Sequence, residues 1–148
     1  MFSIFDDTHF MREALKEARL AFDADEVPVG AVVVWQNRII ARAHNRTECL
    51  NDVTAHAEIL ALTAAADFLG TKYLNECALF VTLEPCVMCG GALHWAQLGK
   101  LVYGAADEKQ GYLRVSSTIL HPKTNIAYGI MEAESRELLQ LFFRNKRR

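Results

Sequence analysis

Four side chains offer metal-directed and acid–base chemistry at close spacing. His56 and Glu58 flank Ala57; Cys86 and Cys89 flank Val87-Met88, just behind Pro85. An imidazole and two thiols are donors of the kind that zinc takes, and the carboxylate is a fourth group that need not ligate. A structural zinc site closes its tetrahedron with four protein ligands, whereas a catalytic one stops at three and keeps water in the fourth position. Three donors beside a free acid are therefore the inventory of a catalytic centre: Zn2+ would lower the pKa of its water, and Glu58 would take the proton. Each motif alone also has a plainer reading. A Cys-x-x-Cys pair could be redox-active or simply buried, and a lone His on an apolar helix face is more often a core residue than a ligand.

Thirty residues separate His56 from Cys86, so only tertiary packing brings them together. Ala55 to about Leu69 reads as a helix without charge between Glu58 and Asp67. His56, Ile59, Leu60 and Thr63 share one face; Glu58, Leu62, Ala65 and Leu69 share another. Such a helix is expected to be buried on both faces. Glu58 then heads an apolar stripe, where a carboxylate is costly without a task or a partner. Pro85 suits the first turn of another helix, running to about Leu98 and uncharged from Val87 to Gly99. Its exposed N–H groups and positive dipole end favour thiolates over thiols. The two uncharged helices are expected to pack on each other and on a sheet.

The rest of the chain supplies that sheet. A first helix, capped by Asp7 or Thr8, runs to about Asp23 with Met11, Leu15, Ala18 and Phe22 on one stripe. Val29–Trp35, a Gln36-Asn37 turn and Arg38–Ala43 form a hairpin. Ala78–Thr82 is apolar without alternation, as in a strand buried on both faces. Leu101–Gly104 is a fourth strand and Thr124–Tyr128 a short edge strand. A last helix covers Glu134 to about Asn145, with Leu138, Leu141 and Phe142 on one stripe and a basic tail from Arg144 to Arg148. Residues 107–125 show no clear periodicity. The order implies an α/β fold, a three-layer α/β/α sandwich around a mixed five-stranded sheet, in a single domain over residues 1–148.

Composition narrows the class. At 148 residues, with 51% hydrophobic and 23% charged residues, the chain is of ordinary globular type. A net charge of −2 gives no global basic field, so any nucleic-acid contact must rest on a local patch. The N-terminal segment lacks the pattern of a signal peptide, and no run is long enough to span a membrane. Four cysteines do not make a disulfide framework, so reduced thiols and a cytoplasmic location are expected.

The pair His56-Ala57-Glu58 and Pro85-Cys86-Val87-Met88-Cys89 matches the zinc nucleobase deaminase signature. Glu26-Val27-Pro28-Val29-Gly30-Ala31-Val32, His44-Asn45-Arg46, Thr54-Ala55, Val81-Thr82-Leu83-Glu84 and Phe142-Phe143-Arg144 resemble the bacterial tRNA adenosine deaminases. The resemblance runs over about residues 10–148 and implies a cytidine deaminase-like fold. It implies one Zn2+ per subunit on His56, Cys86 and Cys89, with Glu58 as the proton shuttle. The substrate would be a flipped-out wobble adenosine of a tRNA anticodon stem-loop, deaminated at C6 to inosine, with a homodimer binding the RNA.

By the same resemblance Asn45, a backbone group of Ala57, and Asp107 would contact the substrate. Asn45 could alternatively satisfy loop backbone. Phe143, Arg144 and Arg147 are candidate RNA contacts, against the alternatives of packing for Phe143 and of ordinary helix-end cations for the arginines. Two departures fall near the RNA-facing loop. Ala106 stands where many relatives carry arginine, and Gly111-Tyr112-Leu113-Arg114-Val115-Ser116-Ser117 lacks a run of small residues. Two other readings stay open: a deaminase of a free base or nucleoside such as guanine or cytosine, and a non-catalytic zinc-stabilised RNA-binding module. Glu58 argues against the module, because pure structure needs no uncoordinated buried acid.

Overall fold

Strand β1 (Gly30–Trp35) is buried from Gly30 to Val34. Its two-residue repeat sends Ala31 and Val33 to one face and Val32 and Val34 to the other. Both faces must therefore be covered, and the computed structural model, which describes residues 5–146, shows how. Helices α2 (Ala57–Leu69) and α3 (Val87–Trp95) cover the first face. Helix α1 (Asp7–Asp23) covers the second through Phe10, Met11 and Ala14. The last helix, α4 (Glu132–Lys146), lies against α1, with Phe142 edge-on to Phe22 at 6.0 Å between ring centres.

The sheet has the order β2-β1-β3-β4-β5. Strand β2 (Arg38–His44) returns antiparallel to β1 through Gln36 and Asn37, both with positive φ, as a tight hairpin turn requires. Strand β3 (Cys77–Leu83) runs antiparallel to β1 and parallel to β4 (Lys100–Ala105), and β5 (Asn125–Tyr128) extends the parallel half. Both sides of β3 are buried, as its uninterrupted apolar run predicts. The register aligns Gly30 with His44, Ala31 with Val81, and Leu83 with Ala105. One edge of the sheet thus gathers the start of β1 and the ends of β2, β3 and β4. In open α/β sheets, ligands bind at such carboxyl ends.

Several boundaries differ from the sequence expectation for physical reasons. Asp6, not Asp7 or Thr8, caps α1, its carboxylate accepting from His9 N at 2.9 Å. Pro85 stays outside α3, because Cys86 is the N-cap, and the helix ends at Trp95 rather than Leu98. The two uncharged helices are not buried all round. A layer of the sandwich gives each helix one inner face, so Ala57, Glu58, Ala61, Leu62 and Ala65 point inward while Thr63 and Phe68 lie outside. On α4 the inner positions are Ser135, Leu138, Leu139 and Phe142, and Leu141 faces solvent. Residues 107–125 hold one 3₁₀ turn, Tyr112–Arg114, anchored by the fully buried Tyr112.

Gly30 marks the closest approach of α1 to the sheet. A Cβ there would run into the backbone of Ala14 and Ala18. Gly30→Ala should force α1 off β1 and cost about 1–3 kcal/mol, as overpacking does. Urea unfolding followed by circular dichroism checks this, and an unchanged midpoint would contradict the packing.

Candidate active site

Two helices begin at the same place. His56 is the N-cap of α2 and Cys86 the N-cap of α3, both in extended backbone conformation. Their carbonyls accept the first helical bonds, from Leu60 N at 3.0 Å and Gly90 N at 2.8 Å. Neither side chain caps its own helix. Instead His56 Nδ1 faces Cys89 Sγ at 3.4 Å and Cys86 Sγ at 3.7 Å. Among the described residues these three form the group whose donor atoms, all within 4.8 Å of one another, could hold one ion.

The donor set fits zinc. With Zn–S near 2.3 Å and Zn–N near 2.0 Å, a tetrahedral ion demands N···S edges of about 3.5 Å. The observed pair brackets that value. Two thiolates and a neutral imidazole also balance a divalent charge, which matters at a half-buried point. Cys89 lies where its S–H donates to Cys86 Sγ. Hydrogen bonding from Cys89 pulls Cys86 down to about 4, helped by His56, while Cys89, as the donor to Cys86, is pushed up. His56 is raised, chiefly by its bond with Cys86. A cation would replace that Cys89 proton, since metal binding demands deprotonated ligands.

Glu58 lies in the first turn of α2, 4% exposed and outside the three-donor group. Burial pushes its carboxyl up to about 7, against the lowering effect of its own backbone N–H and of His56. An acid that titrates near neutrality can both take and return a proton there. Asn45, at the end of β2, is buried, and its Oδ1 accepts from Ala57 N at 2.8 Å. It therefore supplies the cap that His56 does not. Ala57, expected to offer a backbone group to a substrate base, has its N–H bonded to this oxygen, and Asn45 Nδ2 is a further donor beside it.

The other expected residues lie around a neighbouring groove of about 1040 Å³, which reaches the sheet edge at Leu83 and Ala105. Asp107 lines it, half-buried, with Oδ1 already accepting from Lys109 N and Gln110 N. Phe143 and Arg144 line the opposite wall and are exposed. Arg147 lies outside the described residues. Lys109 and Arg136 add two further cations to the rim.

Sequence reasoning missed two acids. Glu26, 2% exposed, accepts from Glu48 N at 3.1 Å and Cys49 N at 2.7 Å, and so ties down the loop after β2. Glu84, 5% exposed, accepts from Asp107 N and Leu113 N, both at 3.1 Å. For Glu84 the signal was present, a lone acid directly after an apolar strand, the argument that singled out Glu58; Glu26 follows Asp25 in an acidic turn and gave no such signal.

The comparisons agree with this geometry. The model of the MafB19-like deaminase family matches residues 5–147. A tRNA-specific adenosine deaminase of Agrobacterium fabrum is 48% identical over 145 residues, 95% of each chain. One from Aquifex aeolicus is 43% identical over 94% of this chain and 95% of its own. A solved structure from a study of A-to-I editing by tRNA:A34 deaminases superposes with a TM-score of 0.83 at 47% identity, covering 89% of this chain and 99% of that one. A guanine deaminase from Nitrosomonas europaea superposes with a TM-score of 0.79 at 26% identity, covering 94% and 85%. The chain belongs to the MafB19-like deaminases, and its relatives place it with the tRNA-specific adenosine deaminases.

Proposed function

We propose that this chain is a zinc-dependent hydrolase that deaminates adenosine to inosine at the wobble position of tRNA. The observation that carries the reading is an open three-donor set beside a buried acid, in a chain so similar to tRNA-specific adenosine deaminases. His56, Cys86 and Cys89 would hold one Zn2+. A zinc ion bound there supplies a Lewis acid that lowers the pKa of a water in its fourth position.

Glu58 does the proton work. It takes one proton from the attacking water as the new C6–O bond forms, and delivers it to ring N1. It then takes the remaining proton from the new C6 hydroxyl and passes it to the departing amine, so that C6=O forms as the C6–N bond breaks and ammonia leaves. A carboxyl held near neutrality suits both directions of transfer. Asn45 orients the base through Nδ2, and its oxygen fixes the start of α2. Asp107, Phe143 and Arg144 meet the anticodon stem-loop along the groove, Phe143 by stacking and Arg144 at phosphate.

The whole chain acts as a single cytoplasmic deaminase domain, and two copies pair. No helix among the described residues is long and apolar enough to cross a membrane. Yet the outer faces of α2 and α3 carry exposed apolar side chains, Phe68, Met88 and the 79% exposed Trp95 among them. Large exposed apolar patches mark interaction sites.

Incubating the zinc-loaded protein with a tRNA carrying a wobble adenosine should yield inosine at that position, read by nuclease digestion and mass spectrometry. Turnover of free guanine without any of the tRNA would establish the guanine deaminase reading instead. Glu58→Ala should keep one zinc per chain and lose turnover by about 10²–10⁴-fold or more, the usual share of a general acid–base residue. Cys86→Ala should lose the metal. Trp95→Glu should shift the sedimenting species from dimer to monomer, and a wild-type protein that sediments as a monomer would refute the pairing.

A further inference from the structure

Glu84 stands one residue before Pro85 and two before Cys86, buried where a carboxylate is expensive. Among the described residues no cation pairs with it; its partners are backbone N–H groups of a different segment. One oxygen takes Asp107 N, at the start of the loop that lines the groove, and the other takes Leu113 N, at its end. The loop is closed on itself by Gly111 N to Asp107 O at 2.8 Å. It is also stitched to the turn that carries the metal-type cysteines, by Tyr112 N to Pro85 O at 2.8 Å and by a bridge between Gly111 and Cys86. Glu84 N in turn donates to Ala105 O at 2.8 Å, so the residue joins β3, β4 and the loop.

We propose that Glu84 is a positioning residue: its carboxylate clamps the Asp107–Leu113 loop to the strand end that carries Cys86, and so holds one wall of the polynucleotide groove in register with the three-donor centre. An unpaired carboxylate is well suited to this, because it accepts from two N–H donors at once and has no proton to conflict with either. Gly111 is part of the clamp. A Cβ there would run into the Glu84 carboxylate, so only glycine lets the loop close over it. The role of the groove in RNA binding rests on the proposed function; the clamp itself does not.

The experiment uses two substitutions that strike the clamp from opposite sides. Glu84→Gln keeps the shape but sets an amide N–H against one of the backbone donors. Gly111→Ala pushes the carboxylate aside. Both are placed in a Glu58→Ala background, so that a stem-loop RNA with an adenosine in the wobble position can be bound without turnover. Amide exchange by NMR should accelerate by about tenfold or more, the effect of losing one buried acceptor, at one of Asp107 and Leu113 in Glu84→Gln and at both in Gly111→Ala. Exchange in the β3 and β4 ladder should stay as in the parent. Affinity for the stem-loop should fall by a similar factor of about ten in both variants. Unchanged exchange at the two amides, an increase shared equally by the β3–β4 ladder, or undiminished RNA affinity would each overturn the proposal. If the parent itself binds no stem-loop, the tRNA reading falls, and exchange at Asp107 and Leu113 still decides whether the clamp exists.

Discussion

Two helix N-termini meet at one point without ordinary caps, and most of the site follows from that junction. An N-cap side chain normally accepts a hydrogen bond from its own helix, and losing it costs about 0.5–2 kcal/mol. Here His56 and Cys86 occupy both cap positions and turn toward each other instead. The partial positive ends of both dipoles then face the same small volume, which is unfavourable unless negative charge fills it. Thiolates supply that charge, and a divalent cation allows both cysteines to be thiolates at once. The same arrangement that weakens the helices as isolated elements makes the junction a candidate metal site.

Neutral and acidic side chains from elsewhere repair the local cost. Asn45 accepts the first free N–H of α2, and the buried carboxylates of Glu26 and Glu84 accept pairs of backbone N–H groups from the loops on either side. Loop backbone near a buried site must find acceptors, because an unpaired N–H is expensive there. Glu58 differs from these acids. Among the described residues it makes no comparable set of backbone bonds to neighbouring loops, and its carboxyl is driven toward the neutral form by burial. That contrast sets the acid proposed to carry the chemistry apart from the acids that tie down loop backbone.

Much of this was legible in the amino-acid order. The hairpin, the doubly buried β3 and the two uncharged helices could be read from hydrophobic period and turn residues, and with them the three-layer sandwich. The convergence of His56, Cys86 and Cys89 could be anticipated because soft donors and a free acid are rare together. What escaped was information that lives in tertiary contacts. Absence of charge said that α2 and α3 avoid water, yet it did not say whether the cover is the sheet or a second molecule; Trp95 is as apolar as Leu93 and lies outside. Glu84 looked like one letter of a motif until Asp107 and Leu113 were seen to converge on it. Residues 107–113 have little periodicity because they follow that carboxylate, not a repeating secondary structure.

The central claim is that the junction holds a metal with three protein donors and leaves one position to solvent, beside an acid that does not ligate. X-ray absorption at the zinc edge of the loaded protein tests this directly. Two sulfurs are expected at about 2.3 Å and two nitrogen or oxygen atoms at about 2.0–2.1 Å, with one of the light atoms exchangeable and the shell unchanged in Glu58→Ala. A shell that loses a light atom when Glu58 is removed would make that residue a ligand. Such a result would contradict the catalytic role assigned to it.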